Sequence, residues 1–197
     1  MADLRLITGA PGAGKSTLLA HLRQDPRQNL RQHPRQGPFT VVDFDELPDP
    51  DGRLLGIEIT SPDAGAVWPD YNRLWVRVAS MLTRGNQPVL VTCPLTPAEW
   101  EAAAAGVADA PEPEWALLDC DDRDRRTRLT ARGWDDAEIE EALQDARELR
   151  DLIGTGFSTS GRAPCDTATA VAAWLGEVRA PKGPPSPDAP RRDAPPP

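Results

Sequence analysis

Short apolar runs along the chain alternate with longer stretches in which apolar residues return every three or four positions. Leu4–Thr8, Phe39–Asp43, Val89–Cys93 and Trp115–Cys120 read as strands buried on both faces, with Gly156–Thr159 as a weaker fifth. Helical patterns follow over Lys15–Arg23, Pro69–Arg84, Asp122–Arg132 and Asp166–Arg179. Thr96-Pro97-Ala98-Glu99 carries Thr and Glu three apart with proline at the first helical position, so a helix starts there and runs to about Ala105. Asp135 and Glu138 repeat that signal before a helix reaching Asp151, in which Ile139, Ala142, Leu143, Ala146 and Leu149 keep helical spacing. Strands that alternate with helices in this way build an α/β fold, a five-stranded parallel sheet covered by helices on both faces, with its active site beyond the carboxyl ends of the strands.

Composition adds boundaries to that frame. From Pro181 to Pro197 eight of seventeen residues are proline and none is large and apolar, which predicts a disordered tail after a folded unit spanning 1–180. Arg-Gln recurs at 23–24, 27–28, 31–32 and 35–36, broken by Pro26 and Pro34. We read 23–37 as an irregular basic insertion, either surface drift or an arm for a phosphate-rich partner. The net charge of −9 argues against general nucleic-acid binding and leaves small polar substrates open. Cys93, Cys120 and Cys165 show no metal or disulfide spacing, no apolar run approaches a membrane span, and the first residues do not resemble a signal peptide. These features lead us to expect a cytoplasmic protein with no membrane partner; monomer and homodimer stay equally open.

Of 22 basic residues 20 are arginine, and one of the two lysines sits in the strongest motif of the chain. Gly9-Ala10-Pro11-Gly12-Ala13-Gly14-Lys15-Ser16-Thr17 matches G-x-x-x-x-G-K-[ST] between an apolar strand and a helix, the context the motif requires. With this composition, chance would supply on the order of 0.001 such matches. The glycines let backbone amides curl toward phosphate oxygens, and the helix behind them adds its positive end. Lys15 would bridge the β- and γ-phosphates, Ser16 would ligate Mg²⁺, and Thr17 would reach the α-phosphate. Gly9, Ala10, Pro11, Gly12, Ala13 and Gly14 complete the cradle for ATP.

Four further segments bear on the chemistry that nucleotide binding would serve. Val41-Val42-Asp43-Phe44-Asp45-Glu46 places a D-x-D at a strand's carboxyl end, where a carboxylate can meet the γ-phosphate and an acceptor hydroxyl; the alternative is solvated acids on a loop of an acidic protein. Val89–Pro94 lacks the terminal carboxylate that a motor ATPase uses to hold metal and position water. Arg128 and Arg132, four apart, would share one helical face, either closing over a triphosphate or pairing with nearby acids on an exposed helix. Trp68, Tyr71 and Trp75 can stack on a sugar or base, although packing against the sheet is the commoner fate of such residues.

P-loop, D-x-D and arginine pair together resemble the P-loop small-molecule kinases: gluconate, shikimate and adenylylsulfate kinases, chloramphenicol phosphotransferase, the zeta toxins and the polynucleotide kinase module. The resemblance spans roughly 4–178, and within it only the P-loop is specific. It implies a five-stranded parallel sheet, ATP with Mg²⁺, a second D-x-D carboxylate acting as base on Asp45, and a lid whose R-x-x-x-R falls on Arg128 and Arg132. Asp45 lies thirty residues after Lys15, farther than is usual in that family, and the stretch from Leu47 to Arg84, where the acceptor would sit, matches no subfamily. Alternate residues of an extended strand end share a face, so Asp43 and Asp45 would both face the nucleotide with Phe44 turned inward. Asp45, farther out, would take the hydroxyl proton, and Asp43 would order water on Mg²⁺. The expected activity is transfer of the γ-phosphoryl of ATP to a hydroxyl of a small molecule. Alternatives are a nucleotide or polynucleotide 5′-hydroxyl kinase, gripping phosphates through the Arg-Gln arm, and a regulatory ATPase without an acceptor.

Overall fold

The computed structural model describes residues 3–24, 39–46, 53–54, 57–58, 62–85, 87–154 and 156–176. The proline-rich tail and all of the Arg-Gln segment beyond Gln24 lie outside the described residues. Five parallel strands form the main sheet: β1 (Leu4–Thr8), β2 (Thr40–Asp43), β5 (Val89–Thr92), β6 (Glu114–Asp119) and β7 (Gly156–Ser158), in the order β2-β5-β1-β6-β7. The helices are α1 (Lys15–Gln24), α2 (Trp68–Leu82), α3 (Pro97–Ala104), α4 (Asp122–Thr130), α5 (Asp136–Leu152) and α6 (Pro164–Leu175). A short antiparallel hairpin, β3 (Arg53–Leu54) with β4 (Ile57–Glu58), has no signature in the sequence, because two-residue strands carry no periodicity.

The central strand shows why an unbroken apolar run becomes a strand here. Every residue of β1 is buried, and alternate side chains enter opposite layers. Leu4 and Leu6 join Phe44, Tyr71, Trp75, Val76 and Trp100 under α2 and α3; Ile7 joins Leu18, Leu22, Val171 and Trp174 under α1 and α6. Arg5 is buried in the same strand, where it pairs with Glu114 and lies 4.9 Å over the Trp174 ring. The guanidinium thus meets a counter-charge and an aromatic face at once.

Helix boundaries follow local chemistry. Thr96 and Asp135 both form complete capping boxes, with Glu99 and Glu138 respectively. The helix expected over Asp122–Arg132 ends at Thr130, and the chain turns through 131–133 to Gly133 at φ +83°. Arg128 therefore lies in the last turn of α4 and Arg132 beyond it, so the two do not continue along one helical face. The segment expected to stay extended through Asp45 also departs from that pattern. β2 stops at Asp43, and Phe44–Glu46 form a 3-10 turn.

Candidate active site

The P-loop runs from the end of β1 to the first turn of α1. Gly9 passes so close to β6 that a Cβ there would lie 2.4 Å from the Leu118 carbonyl oxygen. Gly12 and Gly14 adopt φ of +80° and +103°, which other residues rarely take. The Lys15 ammonium donates to the Gly9 carbonyl, folding back over its own loop. Burial lowers its pKa, opposed by the charges of Asp45 and Asp43 and by Cys93. A desolvated ammonium with a carbonyl partner is a strong receptor for an anion.

Beneath and behind this loop lies an arginine framework that the sequence does not single out. Arg125, fully buried, donates to the Pro11 carbonyl and to Asp119 Oδ1. Arg150 from α5 reaches Asp119 Oδ2 at 2.6 Å, the Cys120 carbonyl at 3.1 Å and Asp122 Oδ1 at 2.9 Å, and these carboxylates raise its pKa. Arg128 Nη1 donates to the Gly12 carbonyl at 3.0 Å and to Thr159 Oγ1 at 2.9 Å, while Thr159 Oγ1 donates to the Ala13 carbonyl at 2.9 Å. Arg128 is thus partly buried in contacts with the loop backbone, whereas Arg132 is exposed on the rim. The only sequence cue to Asp119 is an acid at the carboxyl end of a strand; Arg125 and Arg150 offer none.

On the opposite side, Asp43 and Asp45 meet through the 3-10 turn rather than through strand alternation. Asp43 Oδ1 accepts from Thr92 Oγ1 at 3.0 Å and from the Asp45 amide at 3.2 Å. Burial in the cleft wall raises the Asp45 pKa, helped by the neighbouring charge of Asp43 and opposed by Lys15. Phe44 turns inward as expected: its ring lies 4.6 Å from Tyr71, edge-on, and 5.2 Å from Trp75, stacked. Tyr71 Oη donates to the Phe44 carbonyl, so the aromatics of α2 support the turn instead of facing a ligand. Arg23 at the end of α1 pairs with Glu46 and lowers the Glu46 pKa, tying the first Arg-Gln unit to the same turn. Burial pushes the Cys93 thiol up to about 12, so it is inert beside Lys15.

Among the described residues, two cavities flank the P-loop. One, of about 550 Å³, is walled by residues 9–16 with Asp45, Pro94, Thr96 and Glu99 on one side and Arg132, Asp145, Glu148, Leu149 and Leu152 on the other. The second, of about 470 Å³, lies between Gly12, Gly14, Thr17 and Leu18 and the segment Thr159 to Thr167, with Arg128 and Arg132 on its wall. Among the described residues no cluster of three or more His, Cys, Asp or Glu can hold a metal by itself. Ser16, exposed in the first turn of α1, and Asp43, held by Thr92, offer the sparse oxygen set that suits Mg²⁺ sharing its shell with water and phosphates.

No protein-family model matches the chain, and neither does any curated protein. Solved structures do. A tunicamycin resistance protein from Deinococcus radiodurans is 16% identical with a TM-score of 0.60, covering 92% of this chain and 99% of that one. The adenylylsulfate (APS) kinase CysC of Mycobacterium tuberculosis, solved with AMPPNP and APS, is 19% identical with a TM-score of 0.55 over 89% and 98% of the two chains. Shikimate kinase from Acinetobacter baumannii, solved with shikimate, is 17% identical with a TM-score of 0.52 over 89% and 93%. The fold is that of the P-loop kinases. Within that P-loop kinase fold the chain places its glycine loop, Asp45 and Arg132 around one opening, with Asp43 joined to the Asp45 amide. No helix among the described residues is long and apolar enough to cross a membrane.

Proposed function

We propose that the protein is an ATP-dependent phosphotransferase that moves the γ-phosphoryl group to a hydroxyl of a small molecule. The observation that carries this reading is the pairing of Lys15 and Asp45 on one cleft, with Asp43 fixed behind them by Thr92. The backbone N–H groups of the glycine loop, apart from Pro11, which has none, and the Lys15 ammonium hold the β- and γ-phosphates. Ser16 and Asp43 would hold Mg²⁺, which when bound would supply positive charge to offset that of the phosphates. Thr17 reaches the α-phosphate, and the cavity beside Thr159 and Arg162 takes the base and sugar.

Asp45 accepts the acceptor's hydroxyl proton as the oxygen attacks the γ-phosphorus, and the bond to the bridging oxygen breaks to leave ADP. A carboxylate with a raised pKa is a better base than an ordinary one. Arg132, exposed at the rim, stabilises charge on the group in flight, and Arg128 keeps the loop carbonyls turned away from the phosphates. Residues 1–180 form the catalytic unit, working in the cytoplasm, and 181–197 are dispensable.

Incubation with γ-labelled ATP and fractionated metabolites tests the reading. Label should pass to an acceptor with wild-type protein and not with Asp45→Asn. Equal ATP consumption with and without metabolites would replace it with a regulatory ATPase, and label on an oligonucleotide 5′-hydroxyl would redirect it to nucleic acid.

A further inference from the structure

Resting on the phosphotransferase reading, we propose that Arg125 is a positioning residue for the phosphates: from beneath the glycine loop it holds the Pro11 carbonyl outward, braced in turn by Asp119 and Arg150. Pro11 is the one loop residue without an N–H, so it serves a phosphate cradle only through the direction of its carbonyl. Turned inward, that oxygen would set its partial negative charge against the β- and γ-phosphates. The neighbouring carbonyls are all tied down. Those of Ala10 and Gly14 accept from the Ala13 amide at 3.2 Å and the Leu18 amide at 2.9 Å, and those of Gly12 and Ala13 from Arg128 at 3.0 Å and Thr159 at 2.9 Å. The Pro11 carbonyl accepts from Arg125 Nη1, which arrives from α4.

The cost of placing an arginine there favours this role over space-filling. Arg125 is fully buried; Nη2 pairs with Asp119 Oδ1, and Nε has no partner among the described residues. A buried ion pair with an unsatisfied donor is a poorer filler than an apolar side chain of similar volume. The next turn of α4 uses such a filler. Leu129, equally buried, touches the same glycine: a Cβ on Gly12 would lie 3.3 Å from Cγ of Arg125 and 3.3 Å from Cγ of Leu129. Both stems support the loop, but only the arginine brings it a donor.

Asp119 makes the donor's direction definite. At the end of β6 its Oδ1 pairs with Arg125 and its Oδ2 with Arg150 Nε at 2.6 Å, and Arg150 Nη2 also reaches Asp122 Oδ1 at 2.9 Å. With one nitrogen of the fork fixed on Asp119, the planar guanidinium aims the other at Pro11. Arg150 stays on Asp119 when Arg125 is removed, so the loop can be probed without stranding that carboxylate.

The test uses the full chain with two probes, inorganic tripolyphosphate and adenosine, each displacing labelled ATP. Arg125→Met keeps an unbranched stem and removes every donor; Arg126→Met, which removes the exposed partner of Glu140, is the control. R125M should bind tripolyphosphate about tenfold or more weakly, with adenosine affinity and melting temperature close to wild type, and R125K, which keeps the charge without the planar fork, should lose less. Label transfer by R125M should be low at limiting ATP and recover at saturating ATP. R126M should match wild type throughout. Wild-type tripolyphosphate affinity in R125M overturns the proposal, as does a loss shared equally by tripolyphosphate and adenosine, the mark of a generally loosened site. Should R125M not fold, R125K decides, and wild-type tripolyphosphate affinity there overturns it equally. A wild-type chain that binds tripolyphosphate but labels no acceptor removes the phosphotransferase and leaves Arg125 its role; one that binds no tripolyphosphate removes both.

Discussion

The two flanks of the P-loop are built by opposite means. On the β6 flank, loop carbonyls of Pro11, Gly12 and Ala13 are held by Arg125, Arg128 and Thr159, and Asp119 joins Arg125 to Arg150 from another helix. On the β2 flank the turn carrying Asp45 rests on Phe44, Tyr71 and Trp75, with Thr92 as a polar tether. Directed hydrogen bonds set the loop's shape, as a phosphate cradle needs. Apolar packing fixes the depth of the Asp45 turn and leaves Asp45 on the cleft wall.

Breaking each flank separately sharpens this contrast. The largest effect falls on the β2 flank: Asp45→Asn should lower turnover by about 10²- to 10⁴-fold with little change in ATP affinity. Because the folded protein raises the pKa of Asp45, its ionisation opposes folding as pH climbs from the unfolded value through the folded one. Asp45→Asn should therefore be no less stable than wild type at neutral pH, as a melting curve would show. The acid limb of the wild-type rate profile should lie above the ordinary carboxylate range. Lys15→Ala comes next, with transfer falling about 10²-fold while the melting temperature holds. A variant with wild-type turnover would remove the P-loop from the mechanism.

The β6 flank should answer first in stability. Asp119→Asn leaves the fully buried Arg125 without its counter-charge and should cost about 3 kcal/mol, read by denaturant unfolding, together with a raised KM for ATP. Replacing either of the other arginines with lysine should separate them. Arg128→Lys loses the two-pronged grip on Gly12 and Thr159 and should lower both stability and ATP affinity, whereas Arg132→Lys should lower turnover about tenfold with stability unchanged. Equal thermal shifts in both would return Arg132 to a structural role. The smallest effect is local: Thr96→Ala removes the cap of α3 and should cost about 1 kcal/mol with catalysis intact.

How legible these parts are in the sequence depends on the range of the interactions behind them. The P-loop can be read because its motif is a run of consecutive residues with glycines at fixed spacing, and the capping boxes because their partners are three residues apart. The D-x-D is legible as composition but not as geometry. Strand alternation predicts an extended chain through Asp45, but burial of Phe44 against α2 winds 44–46 into a 3-10 turn. Arg128 and Arg132 are legible as a spacing, yet the end of α4 at Thr130 divides them between the loop and the rim. Arg125, Asp119 and Arg150 stay hidden, since their partners come from distant segments and an arginine in a charged run looks solvated.

By itself the sequence determined the five strands of the main sheet, the helices and the glycine loop, because unbroken apolar runs, the 3.6 period and the positive-φ demands of glycine act within a few residues. Tertiary structure decided the strand order β2-β5-β1-β6-β7, the burial of Arg5 and Arg125, and the gathering of Asp45, Glu99, Asp145 and Glu148 on one cleft. Those outcomes depend on which surfaces meet when the layers close. The desolvation that lowers the Lys15 pKa and raises that of Asp45 exists only after they have met.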